Sequence, residues 1–148
     1  MVSPEMLRRF NCFSPVGEES LKALATIARE ECVPAGRQLF GESDPADTLS
    51  LIVEGEVDIR YLLGSGESYV VDTLIAGDIL GWSALVAPHK MTGIATTRKP
   101  TRLIRIQAQP LRELCERDPL LGYRLSTQVI RLLADRLEGA RAQLATAN

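Results

Sequence analysis

The sequence predicts a mainly β domain with flanking helices, in which an antiparallel β-barrel or jelly roll is preceded by short helices and followed by a long C-terminal helix. Three observations predict it. The hydrophobic period falls from 3.6 to 2 at Cys32 and returns to 3.6 at Gln109. Gly and Pro recur at short intervals between those two points, as they do in turn-rich β structure. No helical segment crosses over between successive strands, so their pairing is antiparallel. The expected organisation is one domain over 1–148, with helices in 3–29, the barrel in 32–107 and the last helices in 109–144.

A short helical piece is expected over 4–10, and Ser14-Pro15 separates it from a helix over 17–29. In that second helix Leu21, Leu24, Ala25 and Ala28 form one apolar stripe, and Glu18 and Glu19 sit in the first turn, where the helix dipole favours acids. In the barrel, Leu49, Leu51 and Val53 alternate with Thr48, Ser50 and Ile52, so one face is expected inward and one outward. After Gly55, Val57, Ile59 and Tyr61 alternate with Glu56, Asp58 and Arg60. Gly64-Ser65-Gly66 suits a hairpin turn, and Tyr69, Val71, Thr73 and Ile75 form the return strand. A phosphate loop would need a helix after those glycines, and none follows. Strands at 92–98 and 102–107 flank a turn at Lys99-Pro100.

Pro110 suits the first turn of a helix carrying Leu111, Leu114 and Cys115 on one side, and Asp118-Pro119 restarts the helix as cap and first turn. The long helix that follows has two stripes. Leu125, Val129 and Leu132 face the barrel, while Ser126, Ile130, Leu133, Leu137, Ala140 and Leu144 are spaced 4, 3, 4, 3, 4 as in a coiled-coil seam. That seam is expected to make a homodimer or to bind a partner protein.

Composition excludes several classes. With 45% hydrophobic and 24% charged residues, the chain can bury an ordinary core. A net charge of -2, with basic residues scattered among acids, argues against gripping a nucleic-acid backbone. Cys12, Cys32 and Cys115 are far apart, which suggests neither disulfides nor zinc and fits a cytoplasmic protein. No apolar run reaches the ~20 residues of a membrane span. The single histidine, His89, has no acid beside it, so no catalytic residue and no metal site is expected.

The order of elements, with Pro34-Ala35-Gly36, Gly55, Gly77-Asp78 and Gly81 at turns, resembles the cyclic-nucleotide-binding domain of the catabolite-activator and protein-kinase regulatory families, over about 13–137. The resemblance implies their double-stranded β-helix and a ligand cassette at 81–93, where Gly81, Ala84 and Leu85 match. The family glutamate that accepts from the ribose hydroxyl falls on Trp82, whose indole nitrogen only donates. The family arginine that grips the cyclic phosphate falls on Met91. Lys90 could replace it only if the loop shifted by one residue, because neighbours on a strand point to opposite faces. A short helix starting near Ser83 would offer its amides to an anion.

The resemblance therefore implies a stand-alone sensory or regulatory domain with weak or lost affinity for ordinary cyclic AMP or GMP. Its effector would be a cyclic nucleotide or another small anion, bound at Gly81, Trp82, Ser83, Ala84, Leu85, Lys90, Met91 and Thr92, with no resident cofactor. The alternative is a structural protein-interaction module whose old pocket is filled by Trp82 and Met91. The family helix position that approaches the base falls near Arg136 and Leu137, and no base specificity follows from it. Since the sequence ends at Asn148, no DNA-reading module is expected after the long helix.

Overall fold

Alternation along a strand makes two faces, and the computed structural model, which describes residues 1–146, shows what covers each. In chain order the elements are α1 (Pro4–Arg8), α2 (Glu18–Thr26), β1 (Ala28–Val33), β2 (Gln38–Phe40), β3 (Thr48–Glu54), β4 (Val57–Leu62), β5 (Ser68–Leu74), β6 (Ile79–Leu80), a 3₁₀ turn (Trp82–Ala84), β7 (Ile94–Thr97), β8 (Thr101–Gln107), α3 (Ala108–Arg117) and α4 (Pro119–Thr146). Two four-stranded antiparallel sheets, ordered β1-β8-β3-β6 and β2-β7-β4-β5, form the expected jelly roll. The last two residues of the expected domain lie outside the described residues.

Strands β3 and β8 are buried on both faces. Leu49, Leu51, Ile104 and Ile106 point into a cluster shared with Leu7, Phe13, Leu21, Leu24, Leu111 and Leu125 of the helical layer. Ile52 and Leu103 point the other way, into the barrel with Val57, Ile59, Leu74, Leu80 and Ala95. The outward face expected for β3 is therefore covered by helices. At roughly 1.5–3 kcal/mol for each fully buried aliphatic side chain, the two clusters supply most of the driving force for the fold.

Two further expectations are corrected. The helix expected over 17–29 ends at Thr26, and Ala28 and Arg29 begin β1, paired with Ile106 and Arg105. The long ladder with β8 overrides the residual helical period there, a tertiary contact outweighing a weak local preference. The return strand expected to include Ile75 ends at Leu74, and a register shift opposite Ile59 and Arg60 of β4 accompanies a buried Leu74 and an exposed Ile75. The Ile75 amide instead donates to Asp78 Oδ2 at 2.8 Å in the following turn.

The helix ends follow their sequence signals. Ser3 Oγ accepts from the Met6 amide at the start of α1, and Asp118 Oδ1 accepts from the Leu120 and Leu121 amides at the start of α4. Asp118 also accepts from the Ser20 hydroxyl of α2, which ties the two helical segments together.

Gly55 is the tightest point of the barrel. Its φ is +110°, and an added Cβ would lie 2.4 Å from Thr101 Oγ1, 2.6 Å from Thr101 Cα and 2.7 Å from Pro100 O. Backbone atoms cannot step aside cheaply, so Gly55→Ala is expected to cost about 3 kcal/mol in a denaturant titration. A loss below about 1 kcal/mol would contradict this packing of the β3–β4 turn against β8.

Candidate functional site

The cassette begins where β6 ends. Gly81 adopts φ +86°, and its Cα face meets Thr48 O and Met91 Cε, at 3.1 and 3.4 Å from a built Cβ, so both the turn and the close approach require glycine. The helix expected from Ser83 is a single 3₁₀ turn. Its downstream amides are already used: Ala84 donates to Gly81 O at 3.0 Å, Leu85 to Trp82 O at 3.0 Å and Val86 to Ser83 O at 3.2 Å. Arg112 of α3 donates through Nη1 to Ala84 O at 2.7 Å and ties the turn to the helical layer.

The return segment fixes the register of Met91, the position expected to correspond to the family arginine. Met91 N donates to Asp44 O at 2.8 Å and Met91 O accepts from Ser43 N at 2.7 Å. That pairing turns Met91 inward, where it is 6% exposed, and leaves Lys90 exposed. Lys90 therefore does not take the arginine's place.

Between these segments lies a cavity of about 20 Å³, roughly enough for one water molecule. Gly81, Trp82, Ser83, Met91 and Thr92 line it, together with Phe40, Ile59 and Leu80 of the barrel. Ala84 and Leu85 instead pack into the helical cluster and are off the cavity. Trp82 is only half-buried, whereas Met91 and Ser83 are buried, so Met91 rather than the indole occupies the interior. A hollow of about 670 Å³ beside α3 is an open groove that touches the cassette only at His89, and another of about 530 Å³ lies against α1, away from the cassette.

The cavity has one charged wall, and it comes from α4. Arg136 reaches over the barrel, with its side chain 10% exposed, and its Nε donates to Asp72 Oδ2 on β5 at 3.3 Å. Asp72 stands opposite Ile59, whose side chain lines the cavity, and thus shares its face of the sheet. Sequence reasoning gives Arg136 no role and does not single out Asp72. The available signal was an acid on a β5 position next to inward-facing residues.

The rest of α4 divides as its two stripes require. Leu125 and Val129 are buried and Leu132 packs on the barrel cluster. On the outer side Ile130 is 65% and Leu137 61% exposed; Ala140 and Leu144 are exposed as well, and Leu133 is half-buried between the two stripes.

Two of the thiols, Cys12 and Cys115, are poor nucleophiles. Burial pushes Cys12 up to about 12, and burial, followed by the charge of Asp118, pushes Cys115 up to about 11. Among the described residues no cluster of His, Cys, Asp and Glu could hold a metal ion, and no helix is long and apolar enough to cross a membrane.

Comparison with known proteins places this geometry. The family model described as cyclic nucleotide-binding domain matches residues 30–118. A solved structure of a Geobacter metallireducens GS-15 protein, described as cyclic nucleotide-binding, is 36% identical and covers 93% of this chain and 99% of its own, with a TM-score of 0.81. The CRP-like cAMP-activated global transcriptional regulator of Mycobacterium tuberculosis is 28% identical over 141 residues, 95% of this chain, which spans 61% of that regulator's length. The catabolite activator protein of Thermus thermophilus shares the fold at 22% identity and a TM-score of 0.72, over 98% of this chain and 63% of its own.

Met91 is the interior residue of the site, so Met91→Ala is expected to cost about 2–5 kcal/mol in denaturant titration. A loss below about 1 kcal/mol would contradict its role as the side chain that fills the cavity.

Proposed function

The chain belongs to the cyclic nucleotide-binding domain family, and we propose that it is a cytoplasmic sensory and regulatory domain, without catalytic activity, whose affinity for ordinary cyclic AMP or GMP is weak. The observation that carries this reading is Met91, buried where the family arginine would grip the phosphate, beside a cavity of only about 20 Å³. Losing a buried charge-assisted pair costs ~2–5 kcal/mol, or roughly one and a half to three and a half decades of affinity. Trp82 removes the ribose acceptor as well.

An effector needs more space than the small cavity offers, and α4 is the wall proposed to give way. Its inner face carries Arg136 and Leu132, and its outer face carries Ile130 and Leu137. Displacing α4 to admit a ligand therefore re-presents the outer seam to a partner. This gives a route from a small anion to an interface without any reaction. The small cavity and buried Met91 also favour a second reading, in which the pocket stays filled and the domain works only as an interaction module.

Calorimetry separates the two. Cyclic AMP is expected to bind with a dissociation constant above about 10 μM, and Trp82→Glu combined with Met91→Arg to tighten it by at least about tenfold. A sub-micromolar constant for the unaltered chain would sink the weak-affinity reading. No gain in the double variant would favour the interaction module.

The occupant proposed for the outer seam is a second copy of this chain. Tyr123, Ile130 and Leu137 are seven residues apart and each is exposed, with Leu133 between the last two and Ala140 beyond them, an apolar stripe that pairs with its own copy in coiled-coil fashion. Sedimentation equilibrium is expected to show a dimer, and Leu133→Glu with Leu137→Glu to give a folded monomer. A monomer at every concentration of the unaltered chain would refute the homodimer.

A further inference from the structure

The pair between Arg136 and Asp72 has an asymmetry that bears on what the cavity can take. Arg136 supplies the only ionised side chain among the described residues lining the cavity. Its side chain is 10% exposed, whereas that of Asp72 is 30% exposed. A guanidinium so buried needs an anionic partner, because an unpaired charge in that setting is strongly unfavourable. Asp72 is less constrained, since its carboxylate can turn toward water when it is released.

We propose that Arg136 is the phosphate-binding group of this pocket, substituting from α4 for the arginine missing at Met91, and that Asp72 is an internal competitor for it. The inference rests on the reading of the pocket as a ligand site. An arginine fork suits a phosphodiester as well as a carboxylate, so an entering cyclic nucleotide exchanges one anion for another at the same guanidinium. The exchange frees Asp72 to solvent and keeps Arg136 paired throughout.

The consequence distinguishes this site from one with an arginine in the cassette. A cassette arginine would hold the phosphate against the barrel. Here the anion is held by the helix, so occupancy and the position of α4 are one event. With the cavity at about 20 Å³, α4 must move outward to admit the ligand, carrying Arg136 with it and releasing β5. Because Leu133 and Leu137 flank Arg136 within one turn, the seam moves with it.

The test is a calorimetric double-mutant cycle with cyclic AMP on the full chain: unaltered, Asp72→Asn, Arg136→Gln and both together. Asp72→Asn removes the competitor with little change of shape and is expected to tighten binding about tenfold. Arg136→Gln is expected to weaken it at least about tenfold and to erase the gain when combined with Asp72→Asn. Arg136→Lys, which keeps the charge but loses the fork, is expected to fall between them. A merely structural pair would shift melting temperatures and leave these affinities unordered. Binding that is unchanged or weakened by Asp72→Asn, or unaffected by Arg136→Gln, overturns the proposal while leaving the ligand site itself standing. No binding to any of these proteins, nor to the chain carrying Trp82→Glu and Met91→Arg, overturns both.

Discussion

Everything in this fold leans on one sheet being buried on both sides. Strands β3 and β8 send Leu49, Leu51, Ile104 and Ile106 to the helices and Ile52 and Leu103 to the barrel interior, so neither layer can shift without opening a core. Interiors packed at crystal-like density resist that. The second sheet packs on one side of this pair of strands, and the helices, α4 among them through Leu121 and Leu125, pack on the other. The cassette lies at the join, fastened to the rigid side through Gly81 against Thr48 and through Arg112 against Ala84.

That placement keeps the cassette's backbone organised whatever side chains it carries. The cassette turn, the register of Met91 and the close approach at Gly81 are all backbone features, held by the same contacts that hold the barrel. The side chains that would have bound a ligand can change without disturbing them, and Met91 adds buried apolar surface where an arginine would have demanded a counter-charge. The charge has not vanished from the site. It is carried by Arg136 of α4, where Asp72 balances it.

Much of this was legible in the sequence because it lies in turns and periods. Gly36, Gly55, Gly66, Gly77 and Gly81 all adopt positive φ, as residues at barrel turns must, and the strand from Val57 to Ile59 alternates as written. The stripes of α4 separate as their spacing requires. Three features were not legible. Ala28 continues a helical stripe on paper and joins a strand in space, because its partner Ile106 lies far along the chain. The return strand stops at Leu74, before Ile75, and its register shift against β4 leaves no mark on the sequence. Arg136 and Asp72 meet across 64 residues, and neither belongs to a local motif. Each miss is a long-range pairing outweighing a local pattern.

The central claim is that α4 is at once the wall of the pocket and the bearer of the seam. Hydrogen exchange of the unaltered chain, with and without millimolar cyclic AMP, tests it most directly. The account predicts that exchange across residues 128–137 of α4 changes together with that of the cassette, while β3 and β8 keep their protection. Slowed exchange in the cassette with α4 unchanged would contradict it, because the ligand would then have entered without moving the helix.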